Sequence, residues 1–269
     1  MLRAMRLVSP AQIALEIRTR RYVSRQRRTV TRGLSDPRIL DAVRDGGELP
    51  AGYGTRMDER VVEFPWLPAM GPKGTVLDAG STLNHDHVLD AFLPVVDALH
   101  IATFEPEPHA FTRRKVSYVY CDLRDLPYRD GVFHTVISSS TLDHVGADNT
   151  FYGASAPRAE NLYAEVDRAL AELRRVLTAD GRMLVTVPYG IVEDRGWWRQ
   201  FDREGVKRIA RASGARSVQI AVYAYSKAGW KTSDLDAEAQ ARAYDEREVD
   251  DDGAPAARAV ACLALGNLA

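Results

Sequence analysis

From Gly74 onward, short apolar runs alternate with helical stripes. Strand-like runs fall at 75–78, 100–104, 116–120 and 132–138, then at 182–187, 217–225 and 258–265. Between them, apolar residues recur at helical spacing over 86–99, 159–177 and 202–212, with a shorter stretch near 107–113. Repeated strand and helix predict a parallel sheet with helices on both faces. Right-handed crossovers then bring the loops after Leu77, Phe104, Tyr120, Ile137 and Val187 to one edge of that sheet. The last part reads differently: two strands enclose a long polar stretch, with a helix predicted over 233–244 and an exposed acidic run over 246–252.

The first 72 residues carry another pattern. Ser9-Pro10 reads as a helix start, Asp36-Pro37 opens a second helix through Val43, and Asp45-Gly46-Gly47 closes it. Residues 50–72 are punctuated by Gly and Pro around Val61-Val62-Glu63-Phe64-Pro65-Trp66-Leu67, which predicts a connecting segment with a helix or two. The expected organisation is a helical extension over 1–72 and one α/β domain over 73–269. A chain of 269 residues is ample for such a core.

Composition narrows the classes of partner. A net charge of -1 gives no global field for nucleic acid, so none is expected. The bias is local: nine arginines lie between Arg3 and Arg32 against one acid, Glu16. That segment reads either as contact with an anionic partner, a phosphate-bearing substrate or a membrane surface, or as a solvated helix docked by one face. Cys121 and Cys262 sit in or beside apolar runs without metal or disulfide spacing, which fits reduced thiols in a cytoplasmic protein. No apolar run reaches the roughly 18 residues of a membrane span, and no export signal is expected. A homo-oligomer is left open.

The converging loops bring suitable chemistry to one edge. In Thr75-Val76-Leu77-Asp78-Ala79-Gly80-Ser81-Thr82-Leu83-Asn84 a buried-looking strand runs into a glycine turn and then a helix, the layout of a cofactor grip. Glu105 ends the second strand, where such folds hold ribose hydroxyls. Asp122 follows the third strand.

With these residues in order, the chain resembles the class I S-adenosylmethionine-dependent methyltransferases. Four motifs carry the resemblance: VLDAGS, TFEPEP, CDLRDLPYRDGVFHTVISSSTLDHVG and LRRVLTADGRMLVTVPYG. It covers roughly residues 74–190 and, more loosely, the chain to 266. DERVVEFPWL upstream and GWWRQFD downstream look like a small-molecule or glycan-associated subgroup. The resemblance implies a Rossmann-like α/β fold: a seven-stranded, mostly parallel sheet with an antiparallel last strand, behind the N-terminal helical extension. It also implies roles. Asp78, the Gly80 backbone and Ser81 would hold the methionine end of S-adenosylmethionine, and Glu105 the ribose hydroxyls. Asp122 and the Leu123 backbone would read the adenine. Ser138, Ser139, Ser140 and Thr141 would floor the methionine site. Three positions depart from the family pattern: Asp143 stands for the usual Glu, His134 for the commoner Asp, and Thr82 for a second glycine. The last departure restricts the backbone, and it counts against a nicotinamide-dependent oxidoreductase, whose pyrophosphate needs those glycines. That oxidoreductase and a non-catalytic cofactor-binding module are the alternatives.

Methyl transfer to a hydroxyl needs alignment and benefits from a base. His144, after the fourth strand, is the first candidate, with Asp143 and Tyr189 behind it. The acceptor is expected to be a small molecule, a sugar or secondary metabolite. Trp197, Trp198 and Arg199 follow the fifth strand and are candidate substrate contacts, as is Tyr152 in the polar 146–157 loop. His85 and His87 flank Asp86, but side chains two apart on a helix diverge, so no metal is expected.

Overall fold

The computed structural model describes residues 10–150, 158–243 and 257–268. Three helices come first: α1 (Pro10–Gly33), α2 (Pro37–Asp45) and α3 (Arg60–Ala69). Asp36 caps α2 by accepting from the Arg38 N–H, and Gly46 ends it in the left-handed conformation (φ 70°). The domain continues as β1 (Thr75–Ala79), α4 (Asp86–Phe92), β2 (Ala98–Thr103), β3 (Val116–Tyr120) and β4 (Phe133–Ser139). Then come α5 (Leu162–Arg175), β5 (Leu177–Pro188), a two-residue ribbon of β6 (Glu193–Asp194) and β7 (Arg199–Gln200), and α6 (Arg203–Ala212). The chain closes with β8 (Ala215–Ser226), β9 (Gly229–Ser233) and β10 (Ala259–Leu268).

The main sheet runs in the order β3-β2-β1-β4-β5-β10-β8-β9. β1 pairs in parallel with β2 and β4, β2 with β3, and β4 with β5, whereas β10 is antiparallel to both neighbours. Strand order reverses between β1 and β4, so the loops after these two strands part and leave a crevice at their carboxyl ends. Alternate residues of β1 go to opposite faces. Val76 belongs to one core with Val30, Ile39, Val61 and Trp66 of the N-terminal helices, and Leu77 to a second core with Leu170 and Leu173 of α5. The N-terminal helices therefore share one core with the sheet.

Four expectations change. The sheet has eight strands, not seven, because Gly229 (φ 109°) turns β8 back into the short antiparallel β9. The helix expected over 233–244 is not formed in the described part: Ser233 ends β9, and Asp234 Oδ1 accepts from the Asp236 and Ala237 N–H groups to set a run of turns over 235–240. Tyr244 and the acidic run lie outside the described residues. The helix expected over 86–99 stops at Phe92, since Pro94 has no N–H to carry the helical ladder on, and Ala98 and Leu99 join β2. Near 107–113 there is only a 3-10 turn at Thr112–Arg114.

Candidate active site

At the mouth of β1, Asp78 is wholly buried and accepts from the Leu83 N–H at 2.8 Å. Its Oδ1 has no hydrogen-bond partner among the described residues, and burial pushes its carboxyl up to about 7. Gly80 follows at φ 125°, and a Cβ there would lie 2.1 Å from Thr141 Oγ1, so only glycine fits. The turn lacks a second glycine, and Ser81 itself takes the left-handed place (φ 64°). Side chains hold it there: Thr82 Oγ1 donates to Ser139 O at 2.8 Å, and Asn84 Nδ2 donates to His109 O at 3.0 Å. Asn84 Oδ1 in turn accepts from the Tyr118 hydroxyl at 2.8 Å.

A cavity of 440 Å³ opens over this turn. Gly80, Ser81, Glu105, Asp122, Leu123, Ser140 and His144 all contribute to its wall. Asp78 and Ser139 lie beneath the wall rather than in it. Ser81 Oγ is buried without a hydrogen-bond partner among the described residues. Burial raises the Asp122 carboxyl, but hydrogen bonds from Arg124 outweigh it and leave the group below its ordinary range. Arg124 also pairs with Glu165 of α5, which ties the β3 loop to the helix layer.

The floor depends on two residues that the sequence reading passed over. Glu63 of α3 is wholly buried. Its Oε1 accepts from the Ser140 hydroxyl at 2.6 Å and the Thr186 hydroxyl at 2.5 Å, and its Oε2 from Arg60 Nη1 at 2.7 Å. Ser140 is held at φ 40°, and Ser139 Oγ lies 3.0 Å from Thr186 Oγ1. Burial works against the charge on Arg60, yet Glu63, Glu59, Asp58 and Asp143 around it raise its pKa above the ordinary value. Arg60 faces into the cavity wall. The signal was present in the sequence: a glutamate inside Val61-Val62-Glu63-Phe64-Pro65-Trp66 is a charge in an apolar run, and such a charge needs partners.

Past β4, His144 joins the wall while Asp143 sits behind it, 2% exposed. His144 Nδ1 lies 2.9 Å from Trp197 O, and Nε2 lies 3.3 Å from Asp143 Oδ2. A carbonyl only accepts, so Nδ1 carries a hydrogen, and Nε2 shares its proton site with a carboxylate whose pKa burial has raised. Trp197 stacks on His144 with ring centres 5.3 Å apart, and Trp198 is half-buried beside it. Two assigned residues are elsewhere. Tyr189 is wholly buried and its hydroxyl donates to Leu235 O at 2.6 Å. Arg199 is 3% exposed, donates to Val145 O at 2.7 Å, and sets its guanidinium 5.5 Å and 5.4 Å from the ring centres of Tyr163 and Phe201. Tyr189 and Arg199 thus brace the 189–201 segment rather than facing the cavity. Tyr152 lies outside the described residues.

Residues 96–185 match the family model for a methyltransferase domain. That stretch, about a third of the chain from the start of β2 into β5, is similar to a methyltransferase domain. No curated protein matches its sequence. Among solved structures, the domain is similar to a possible histamine N-methyltransferase of Thermotoga maritima, at 13% identity and TM-score 0.48, over 88% of this chain and 98% of that one. It is also similar to the 1,6-didemethyltoxoflavin-N1-methyltransferase of Burkholderia thailandensis, at 15% identity and TM-score 0.46, over 97% and 91%. The [4+2]-cyclase SpnF gives 16% identity and TM-score 0.49, over 88% and 94%.

The wall offers groups that would suit S-adenosylmethionine, the cofactor that the sequence resemblance implies. The crevice offers an exposed acid, Glu105, for hydroxyls and the partly buried Asp122 with the Leu123 backbone for a ring edge. Two orphaned buried oxygens, Asp78 Oδ1 and Ser81 Oγ, lie in the turn where an amino group and a carboxylate would arrive. Among the described residues no helix is long and apolar enough to cross a membrane.

Proposed function

We propose that the chain transfers the methyl group of S-adenosylmethionine to a hydroxyl of a small molecule, a sugar or a secondary metabolite. The observation that carries this is the single 440 Å³ cavity that brings the β1 turn, Glu105 and Asp122 together with His144. Bound there, the cofactor would supply an electrophilic methyl on a sulfonium, and the protein would supply alignment. Glu105 would accept from the ribose hydroxyls and Asp122 from the adenine amino group. Arg60, held by Glu63 at the wall beside Gly80 and Ser81, would meet the methionine carboxylate.

The acceptor would enter on the side of His144, Asn149 and Trp197. As its oxygen gains the methyl it must lose a proton, and His144, on the wall with Asp143 behind it, would take it. For Nε2 to take the proton, the ring must leave Asp143 as the acceptor binds, so Asp143 would act as the positioning partner. A cavity of 440 Å³ suits a small acceptor rather than a polymer.

Calorimetric titration with S-adenosylhomocysteine, and separately with NAD, tests the cofactor. Binding of NAD without S-adenosylhomocysteine would end the proposal. An acceptor screen then tests turnover, with His144→Ala expected to abolish it while keeping cofactor affinity. Tight cofactor binding with no acceptor turned over would point instead to a binding module of the same fold.

A further inference from the structure

A second cleft lies away from the cofactor cavity, between α1 and the 50–57 loop. Arg25, Arg28 and Arg32 stand at i, i+3 and i+7 on α1, which sets them on one face of the helix. They line a volume of 340 Å³ together with Thr29 and the turn from Gly52 to Thr55. The opposite wall is stiff. Gly52 (φ 74°), Gly54 (φ 66°) and Arg56 (φ 59°) alternate left-handed backbone with Tyr53 and Thr55, so the loop curls on itself. Tyr53 donates to Val61 O at 2.6 Å, and Tyr53 O accepts from the Trp230 N–H at 2.8 Å. Met57 O accepts from Trp230 Nε1 at 2.9 Å.

The cleft concentrates positive charge without an acid in its wall. Among the described residues, Arg25 and Arg28 meet no carboxylate within ion-pair distance, and Arg28 donates only to Ser24 Oγ. Arg32 lies 3.6 Å from Asp36, which is already held by Arg38 at 2.9 Å. The other nearby carboxylate, Asp58, accepts from the Tyr22 hydroxyl at 2.8 Å and from Gln26 at 2.5 Å. Like charges one turn apart on a helix repel, so a multiply charged anion would relieve the stripe as well as bind it. Three guanidinium forks on one helix face favour several oxygens on one centre over a single carboxylate.

We propose that this cleft is a second binding site, for a phosphate or diphosphate group. The same chemistry is presented by a soluble phosphorylated molecule and by an anionic lipid headgroup. The site does not depend on the methyl-transfer reading, although Met57 and Arg60 place the two cavities within one short segment.

Calorimetry of the full chain with pyrophosphate, and co-sedimentation with phosphatidylcholine vesicles with and without phosphatidylinositol phosphate, test the proposal. The variant Arg25→Gln/Arg28→Gln/Arg32→Gln removes the cleft. Arg18→Gln/Arg20→Gln/Arg21→Gln removes equal charge from the same helix outside it. The cleft variant is expected to lose at least about tenfold in affinity while the control stays near the parent, and binding should weaken with salt. Pyrophosphate binding without vesicle binding assigns a soluble ligand, and vesicle binding without pyrophosphate assigns a headgroup. Binding of neither probe, or equal loss in both variants, overturns the site. If circular dichroism shows the triple variant to have lost helix, Arg28→Ala decides instead: it should weaken pyrophosphate several-fold, and unchanged affinity would overturn the site.

Discussion

Two carboxylates are wholly buried at the same edge of the sheet, and they are treated in opposite ways. Glu63, delivered by α3, has three side-chain donors from Ser140, Thr186 and Arg60. Asp78, at the mouth of β1, has backbone donors in its own turn and an Oδ1 with no partner among the described residues. The difference separates a carboxylate whose donors are built into the fold from one with an oxygen short of a donor. A buried charge that is fully partnered fixes its surroundings, here the floor serines and the direction of Arg60. A buried charge left short of a donor stores a cost that an incoming cation or donor can relieve.

The sharpest way to break the comparison is at Glu63. Glu63→Ala leaves a largely buried guanidinium and two hydroxyls without their acceptor, and should destabilise the fold by about 3 to 5 kcal/mol in urea unfolding. A loss under about 1 kcal/mol would mean that the cluster does not hold the floor.

Asp78 predicts a pH signature. Its folded pKa, raised by burial from 3.8 to about 7, means that the folded chain binds this proton more tightly than the unfolded chain. Its contribution to stability is therefore lost as pH rises through the window from about 4 to 7. Three units correspond to about 4 kcal/mol as an upper figure. Asp78→Asn should remove that part of the slope and leave the cofactor-free variant about 2 to 4 kcal/mol more stable than the parent at pH 8. Denaturant curves at pH 5 and pH 8 for both proteins measure it, and parallel pH dependences would refute it.

The next effect is on affinity. Glu105→Ala and Asp122→Ala should each weaken S-adenosylhomocysteine by about 1 to 3 kcal/mol, because ligand donors lose their acceptor in a partly dry cavity. Unchanged binding in both would remove the site assignment. The smallest effect sets a baseline for one ordinary buried hydrogen bond. Tyr189→Phe should cost about 1 kcal/mol in stability and leave S-adenosylhomocysteine affinity unchanged. A lost affinity there would return Tyr189 to the site.

The cofactor half of the site was legible because its parts lie at strand ends. Val76-Leu77 followed by Asp78 and Gly80, and the acids after the second and third strands, are local patterns whose convergence follows from crossover handedness alone. The acceptor half was not legible in that way. Tyr189 and Arg199 look as reactive in sequence as His144 does, and only packing shows that Leu235 O takes one while Val145 O and the rings of Tyr163 and Phe201 hold the other. The missing second glycine was likewise ambiguous until Thr82 and Asn84 were seen to pin the turn through side chains.

What the sequence by itself determined is the order of elements, the parallel run of strands, and the edge where their loops converge. Each of these follows from periodicity and backbone handedness, which act over a few neighbouring residues. Tertiary structure decided what arrives from far along the chain: Glu63 meeting Thr186 across 123 positions, and β9 folding onto β8. It also decided which charges are partnered and which are left waiting. A side chain's charge state and reach depend on burial and on neighbours brought from elsewhere, and no local pattern carries that information.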